Sequence, residues 1–239
     1  MLSALEGRVV AVTGASSGIG EAVARCLHAQ GALVAVSARR GDRLKDLAEE
    51  LGHERVLWRE TDVRDAEGMQ EFFGAAATEF GRLDAVVANA GAGAYGGILD
   101  LSDDDVRRLI DTNVTGTVWS VRAAVPHLRH GGDLVLVSSV AGLRGRPDEA
   151  VYAATKHAVV GMAGSLDREL RPRGIRVSAL CPGATDTEFA FGHGREPGMP
   201  KLATMMRAED VAEAIAYVLC QPPTMRTLMW SMRSMASEN

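Results

Sequence analysis

Short apolar runs alternate along this chain with longer segments in which apolar residues recur at helical spacing. The short runs lie at 8–13, 32–37, 55–58, 84–88, 133–138, 175–180 and, more weakly, at 227–230. The helical segments lie at 18–30, 42–51, 66–80, 103–128, 152–170 and 210–219. A regular alternation of this kind predicts βαβ units that build a parallel sheet.

The predicted strands are rich in Val, Leu and Ala, which indicates that helices cover both faces of the sheet. We therefore expect an α/β protein, a doubly wound parallel sheet of about seven strands within one domain over residues 1–239. In such sheets a ligand binds in the crevice at the carboxyl ends of the strands. The residues that follow each strand are thus the first candidates for a functional site.

The composition is that of a globular protein. Of the 239 residues 46% are hydrophobic and 24% are charged, and the net charge of −5 argues against a nucleic acid or an anionic membrane as partner. No apolar run is long enough to span a bilayer, and the N-terminus does not resemble a signal peptide. The three cysteines are far apart, and His127 and His130 have no ligand-type neighbours, so we expect neither disulfides nor a metal. A cytoplasmic location is predicted.

The segment TGASSGIG, residues 13–20, joins the first strand to the first helix. Its glycines allow a tight turn and a close approach of backbone to ligand, and the start of a helix favours an anion such as pyrophosphate. A plain connection could contain the same glycines, so this segment alone is weak evidence. Its predicted cofactor-binding residues are Gly14, Ser16, Ser17, Gly18, Ile19 and Gly20.

Two arginines, Arg39 and Arg40, follow the second strand. Sites selective for NAD carry an acidic residue near this point to bind the ribose 2′-hydroxyl, whereas arginine binds a 2′-phosphate through charge-assisted hydrogen bonds. The alternative is a solvated surface pair. We predict NADP(H) as the cofactor, with NAD(H) the less favoured choice.

With TGASSGIG near one end and Tyr152-Ala-Ala-Thr-Lys156 further along, the chain resembles the short-chain dehydrogenase/reductase family over residues 7–218. The further matching motifs are, in order, Asp62-Val63, Ala88-Asn89-Ala90-Gly91, Asn113, Ser139, and Pro182-Gly183 with Thr187. The chain departs from the family pattern at Ala88, where many relatives have asparagine, and in the Met-rich segment 225–235, which leaves the last strand pairing open.

The resemblance implies a Rossmann-type sheet with strand order 3-2-1-4-5-6-7. It also implies cofactor contacts beyond the glycine-rich turn. Asp62 and Val63 would lie at the adenine, residues 89–91 would line the cofactor, and Thr187 would hold the nicotinamide side. The implied cofactor-binding residues of this second group are Asp62, Val63, Asn89, Ala90, Gly91, Tyr152, Lys156, Pro182, Gly183 and Thr187.

Hydride addition to a carbonyl needs a proton donor for the oxygen, and Tyr152 can supply it, or act as the base in the reverse direction. A free phenol has a pKa near ~10. Lys156 is four residues further along the same helix, so its ammonium is expected to lower the pKa of Tyr152. The resemblance implies that Lys156 also binds the nicotinamide ribose.

Two more residues complete the predicted catalytic set. Ser139, at the end of the fifth predicted strand, offers a hydroxyl to the substrate oxygen. Asn113 is a poor helix former inside a predicted helix, and it would hold a water that links Lys156 to solvent. The prediction is thus an NADP(H)-dependent oxidoreductase acting on a small carbonyl or alcohol substrate.

Other functions remain as alternatives. A catalytically inactive dinucleotide-binding redox sensor is one, although a sensor needs no proton donor. A nucleotide-sugar epimerase or an enoyl reductase fits less well, because the first usually has a larger C-terminal domain and the second spaces Tyr and Lys more widely. Substrate choice is expected to depend on loops 92–98 and 143–149 and on a short segment at 188–203. Arg144 and Arg146 could favour an acidic substrate or be simply solvated.

The helix at 152–170 is covered almost all round by small or apolar residues, and the sheet can bury only one side of it. The helical region 103–128 offers a similar surface through Val114, Val118 and Val121. An isologous contact between copies would cover both. We therefore predict a homo-oligomer, a tetramer or a dimer, as the resemblance also implies.

Overall fold

The computed structural model describes residues 5–237, which contain a seven-stranded sheet. The strands are β1 (Val9–Thr13), β2 (Leu33–Ala38), β3 (Val56–Glu60), β4 (Leu83–Ala88), β5 (Leu128–Val137), β6 (Arg176–Pro182) and β7 (Met229–Met232). All neighbouring pairs are parallel, and the strand order is β3-β2-β1-β4-β5-β6-β7. The predicted fold class and strand order are confirmed.

Helices follow the strands and cover both faces of the sheet. They are α1 (Gly18–Ala29), α2 (Gly41–Leu51), α3 (Ala66–Phe80), α4 (Asp103–Ile110), α5 (Gly116–Ala124), α6 (Ala150–Leu170) and α7 (Ala208–Leu219). Buried side chains of α1, α2 and α7 pack together on one face, and those of α3, α5 and α6 pack on the other. Fully burying one large side chain, for example Phe72 of α3, contributes about 1.5–3 kcal/mol. Because all the strands are parallel, their carboxyl ends meet at one edge of the sheet, between these two helical layers.

The prediction of one continuous helix over residues 103–128 is wrong. A π-helical turn, Asp111–Thr115, separates α4 from α5, and α5 ends at Ala124. Pro126 lacks the backbone N–H that a continuing helix would need, and β5 begins at Leu128 rather than at residue 133. The early part of β5 pairs irregularly with β4, with a register shift between Leu83 and Ala85.

The last strand is displaced by two residues from its prediction. Met229 pairs with Ala179 of β6, whereas Thr227 approaches the sheet before the ladder begins, where its carbonyl accepts a 2.6 Å hydrogen bond from Ser178. The pairing left open by the Met-rich segment is thus parallel and lies at the edge of the sheet.

One side chain of the predicted contact surface is not available to a partner. Val121 is only 6% exposed and packs in the core between α5 and the sheet, with buried residues of α3 and α6. Val114 and Val118 remain partly exposed.

No helix within residues 5–237 is long and apolar enough to cross a membrane.

Candidate active site

A cleft of about 740 Å³ opens at the carboxyl ends of the strands, as the doubly wound fold predicts. It is lined by the segments that follow β1, β2, β3, β4, β5 and β6 and by residues of α6. The predicted site residues that line it are Gly14, Ser16, Ser17, Gly18, Ile19, Arg39, Arg40, Asp62, Val63, Asn89, Ala90, Gly91, Ser139, Tyr152, Lys156, Pro182, Gly183 and Thr187. Gly20 and Asn113 are not at the cleft surface and act behind it.

The glycine-rich turn after β1 is tight because its neighbours leave no room for side chains. Gly14 has a φ of +70°, and a Cβ there would lie 2.7 Å from the Cα of Ala90. A Cβ on Gly20 would lie 2.4 Å from the carbonyl oxygen of Gly14, so Gly20 packs the first turn of α1 against the loop. Asn89 holds the arrangement, since its amide donates to the carbonyls of Thr13 at 2.9 Å and Gly14 at 3.3 Å.

Arg40 connects three parts of the cleft. Its guanidinium donates to the hydroxyls of Ser16 at 3.1 Å and Ser17 at 2.5 Å and to the carboxylate of Glu188 at 2.8 Å. Arg43, one turn further along α2, donates to the same carboxylate at 2.8 Å. These hydrogen bonds, first from Arg43 and then from Arg40, lower the pKa of Glu188.

The sequence prediction missed both Arg43 and Glu188. Arg43 could have been considered because it lies in the first turn of α2, three residues after Arg40, which directly precedes the helix. Glu188 gave no such signal, because its partners are more than a hundred residues away. Arg39 is exposed, lines the cleft, and makes no hydrogen bond or ion pair within the described part of the chain.

The adenine end expected from Asp62 and Val63 lies beside this group. The Asp62 carboxylate is paired with Arg64 at 2.6 Å, and Val63 is buried under the π-helical turn, where it contacts Gly116. Both line the cleft, and their predicted contact with adenine stays a prediction.

The other end of the cleft contains the predicted catalytic residues. Tyr152 and Lys156 lie one turn apart on α6, both almost fully buried, and the Lys156 ammonium is 5.9 Å from the centre of the Tyr152 ring. Its Nζ donates to the carbonyl of Val137 at 3.1 Å. Ser138 and Ser139 both line the cleft but have different partners: the Ser138 hydroxyl donates to the Lys156 carbonyl, whereas the Ser139 side chain forms a hydrogen bond with Tyr152.

Burial dominates the acid–base properties of this pair. It raises the pKa of Tyr152 above its usual range, while a hydrogen bond with Ser139 and the charge of Arg195 act against the shift. Burial also lowers the pKa of Lys156 to about 8. The expected lowering of the tyrosine pKa by Lys156 is therefore not found: desolvation of the phenolate is the larger effect.

Asn113 connects the loop after β4 to helix α6 through hydrogen bonds of its side chain. Its Oδ1 accepts a 2.7 Å hydrogen bond from the Ala92 amide, and its Nδ2 donates to the Ala92 carbonyl at 2.9 Å and to the Thr155 hydroxyl at 3.0 Å. Both amide hydrogens are thus engaged, and the π-helical turn places them there. Asn113 positions the loop after β4 against α6, and the water predicted to bridge it to Lys156 stays a prediction.

Aromatic side chains surround Tyr152. The centres of the Tyr95 and Phe189 rings lie 5.7 Å and 5.8 Å from the centre of the Tyr152 ring. Tyr95 was expected in a substrate loop from the sequence, and Phe189 lies in the segment at 188–203. Both predicted loops, 92–98 and 143–149, contribute to the cleft wall.

The family follows from sequence comparison. Residues 8–196 match the profile of the short chain dehydrogenase family. An uncharacterised oxidoreductase of Staphylococcus aureus, SA2266, is 34% identical over 223 residues, which cover 92% of this chain and 94% of that protein. This chain therefore belongs to the short chain dehydrogenase family and is an oxidoreductase of that family.

Solved structures agree with this assignment. The alcohol dehydrogenase of the archaeon Thermococcus sibiricus, solved with 5-hydroxy-NADP, has a TM-score of 0.89 at 34% identity and covers 97% of this chain and 98% of its own. The 3-ketoacyl-(acyl-carrier-protein) reductase of Brucella melitensis, solved with NADH, has a TM-score of 0.84 at 30% identity, covering 95% and 97%. Relatives solved with an NADP derivative and with NADH therefore share this fold.

Proposed function

We propose that this protein transfers a hydride between NADP(H) and a carbonyl or alcohol group, with Tyr152 as the general acid in reduction and the general base in oxidation. The observation that carries the proposal is the grouping of Tyr152, Lys156 and Ser139 at one end of a cleft whose other end has the glycine-rich turn and Arg40. Two similar structures support the proposal by their names: one is an alcohol dehydrogenase solved with 5-hydroxy-NADP, and the other is a 3-ketoacyl-(acyl-carrier-protein) reductase solved with NADH.

The cleft fits a nicotinamide dinucleotide. The Gly14 position excludes a side chain, so backbone amides of residues 14–20 and the start of α1 can face a pyrophosphate. Arg39 and Arg40 would hold a 2′-phosphate, which favours NADP(H) over NAD(H). Asp62, Val63 and residues 89–91 would line the adenosine side, and Lys156 the nicotinamide ribose. Pro182, Gly183 and Thr187 would border the nicotinamide, which supplies the hydride when the cofactor is bound.

The raised pKa of Tyr152 suits a proton donor. A phenol that stays protonated at neutral pH can give its proton to the substrate oxygen as negative charge develops there. The Ser139 hydroxyl would hold the same oxygen. Lys156, with a pKa near 8, is largely protonated at neutral pH and would stabilise the phenolate that remains. Asn113 would keep this helix and the loop after β4 in position.

We also propose that one domain over residues 1–239 carries the whole reaction, with the segment at 188–203 as a small substrate lid. Phe189 from this segment packs on Tyr152, and Gly192, Gly194 and Gly198 have positive φ angles that permit its sharp bends. The protein is proposed to act as a homo-oligomer and in the cytoplasm, as predicted from the sequence.

The test is oxidation of NADPH followed at its absorbance band with a panel of ketones, aldehydes, diketones and quinones. Substrate-dependent oxidation that is lost in Tyr152→Phe is expected. The competing function is a catalytically inactive redox sensor. NADPH binding without turnover of any panel member, unchanged by Tyr152→Phe, would favour the sensor.

A further inference from the structure

Arg195 is a guanidinium inside the substrate end of the cleft. Its Cζ lies 5.7 Å from the centre of the Tyr95 ring and 5.9 Å from that of Phe189, and its side chain is partly buried. One nitrogen donates to the Thr185 carbonyl at 3.2 Å. Arg144 and Arg146 were the arginines that the sequence suggested for binding an acidic substrate, and Arg195 was not among them.

Among the described residues, no carboxylate pairs with the guanidinium of Arg195. At this end of the cleft Arg108 is paired with Asp105 at 2.7 Å, and His193 contacts the same Asp105 at 3.0 Å. Arg195 forms no ion pair within residues 5–237, although Glu149 faces the nearby tyrosines. A partly desolvated cation without an anion gains free energy when a ligand supplies the anion.

Arg195 and Tyr152 share their neighbours. Tyr95 and Phe189 each contact both the Tyr152 ring and the Arg195 guanidinium, so the proton donor and the cation lie beside the same aromatic pair. They are close enough for the charge of Arg195 to act on the Tyr152 phenol. A short molecule with its reacting carbon at Tyr152 can therefore reach Arg195 with its other end. The guanidinium has more N–H groups than its contacts with the Thr185 carbonyl and the Tyr95 hydroxyl use, so it can also donate to a ligand.

We propose that the substrate of this enzyme is a short oxo acid or hydroxy acid whose carboxylate binds Arg195. This inference rests on the proposed function and specifies its substrate class. The planar guanidinium matches a carboxylate through two parallel hydrogen bonds, which fixes the orientation of the carbon chain as well as its affinity. Arg146 lines the outer part of the cleft, and Arg144 is exposed outside it.

The test compares acids with their neutral esters. Acetoacetate and levulinate are assayed with NADPH beside their methyl esters, in the wild type, in Arg195→Gln and in the control Arg144→Gln, which removes the same charge outside the cleft. Loss of charge-assisted hydrogen bonds predicts that Arg195→Gln lowers kcat/KM for the acids by about 10- to 100-fold, chiefly through KM. In Arg195→Gln the esters should lose much less kcat/KM than the acids, because only the acids lose a bound carboxylate, and Arg144→Gln should affect neither class of substrate.

A binding measurement separates this inference from the proposed function. Levulinate is titrated calorimetrically into enzyme saturated with NADP⁺, which cannot reduce the ketone, so its affinity is read without turnover. Binding that is lost in Arg195→Gln and kept in Arg144→Gln supports the carboxylate site. Turnover of the esters in the wild type with no preference for acids, or levulinate binding that is absent or unchanged by Arg195→Gln, would overturn it while leaving hydride transfer by Tyr152 intact.

Discussion

Arg40 and Glu188 form an ion pair of 2.8 Å that joins the start of α2 to the segment after β6 across the mouth of the cleft. Glu188 also binds Arg43, so one carboxylate is shared by two guanidinium groups. If Arg40 binds the 2′-phosphate of NADP(H), the phosphate and Glu188 need the same donor. The pair thus links cofactor binding to the proposed lid at 188–203.

The first prediction concerns cofactor choice. Changing Arg39 to Asp and Arg40 to Ala together should weaken NADPH binding at least about tenfold, because charge-assisted hydrogen bonds to the phosphate are lost. NADH binding should fall far less, which fluorescence titration of both cofactors can show. Arg59→Ala, at an exposed arginine of β3, is the matched control. Equal affinity of the unmodified enzyme for the two cofactors would contradict the preference.

Glu188 gives the second prediction. Glu188→Gln removes the competing charge and should strengthen NADPH binding by up to about fivefold, a small effect because solvent screens an ion pair whose side chains are about half exposed. NADH binding should not change. Glu196→Gln, in the same segment but outside the cleft, serves as the control. Weaker NADPH binding in Glu188→Gln would mean that Glu188 orders Arg40 rather than competes for it.

The third prediction concerns the substitution Tyr152→Phe. The substitution keeps the ring and its contacts with Tyr95 and Phe189 but removes the proton donor, so turnover should fall by about 10²- to 10⁴-fold. Affinity for NADPH and the denaturation midpoint should stay close to those of the wild type. Tyr217→Phe on α7, where the ring is exposed, is the control. Near-normal turnover of a carbonyl substrate by Tyr152→Phe would remove this residue from the mechanism.

The fourth prediction is a pH dependence of stability. The folded protein releases the Lys156 proton near pH 8, whereas the unfolded chain keeps it to about 10.5. Between these values the unfolded state binds more protons, so stability rises with pH across this window, and the cost of burying the charge is fully present below it. The buried Cys181 and Tyr152 have raised pKa values and act in the opposite sense at alkaline pH.

A comparison with Lys156→Met isolates this effect, because other groups contribute similarly to both proteins. From pH 7 to about pH 9.5 the free energy of unfolding of the wild type should gain about 1–2 kcal/mol relative to the variant. Urea denaturation at the two pH values measures it. A difference that is constant with pH would show that Lys156 keeps an ordinary pKa in the folded protein.

The sequence predicted the sheet and many of the residues that line the cleft, because both depend on local signals. Apolar runs and helical spacing define β1 to β6, and TGASSGIG lies in the loop between β1 and α1 that any parallel sheet would place at the cleft. The π-helical turn at Asp111–Thr115 had no such signal. It depends on tertiary hydrogen bonds of Asn113 to Ala92 and Thr155, which no periodicity reveals.

The missed site residues have the same explanation. Arg195 and Glu188 lie in a segment without regular structure, where position depends on contacts with distant rings and charges. Phe189 belongs to the same segment, which the sequence did predict to affect substrate choice. The predicted effect of Lys156 on Tyr152 failed for a related reason. Spacing along a helix gives proximity, but the degree of burial, which decides the pKa of the phenol, is a property of the whole fold.

The last prediction is assembly through α6. Its outward face has Ala154, Ala158 and Gly161, all exposed, and a Cβ on Gly161 would meet nothing within 4 Å. Light scattering of the wild type should therefore give a multiple of 25.3 kDa, with small residues allowing close helix contact. Ala158→Glu would place a charge in the centre of this contact and should shift the protein toward the mass of one chain, whereas Thr78→Glu on α3 should not. Activity should fall with the mass, since α6 also bears Tyr152 and Lys156. A fully active wild type with the mass of one chain would contradict the homo-oligomer.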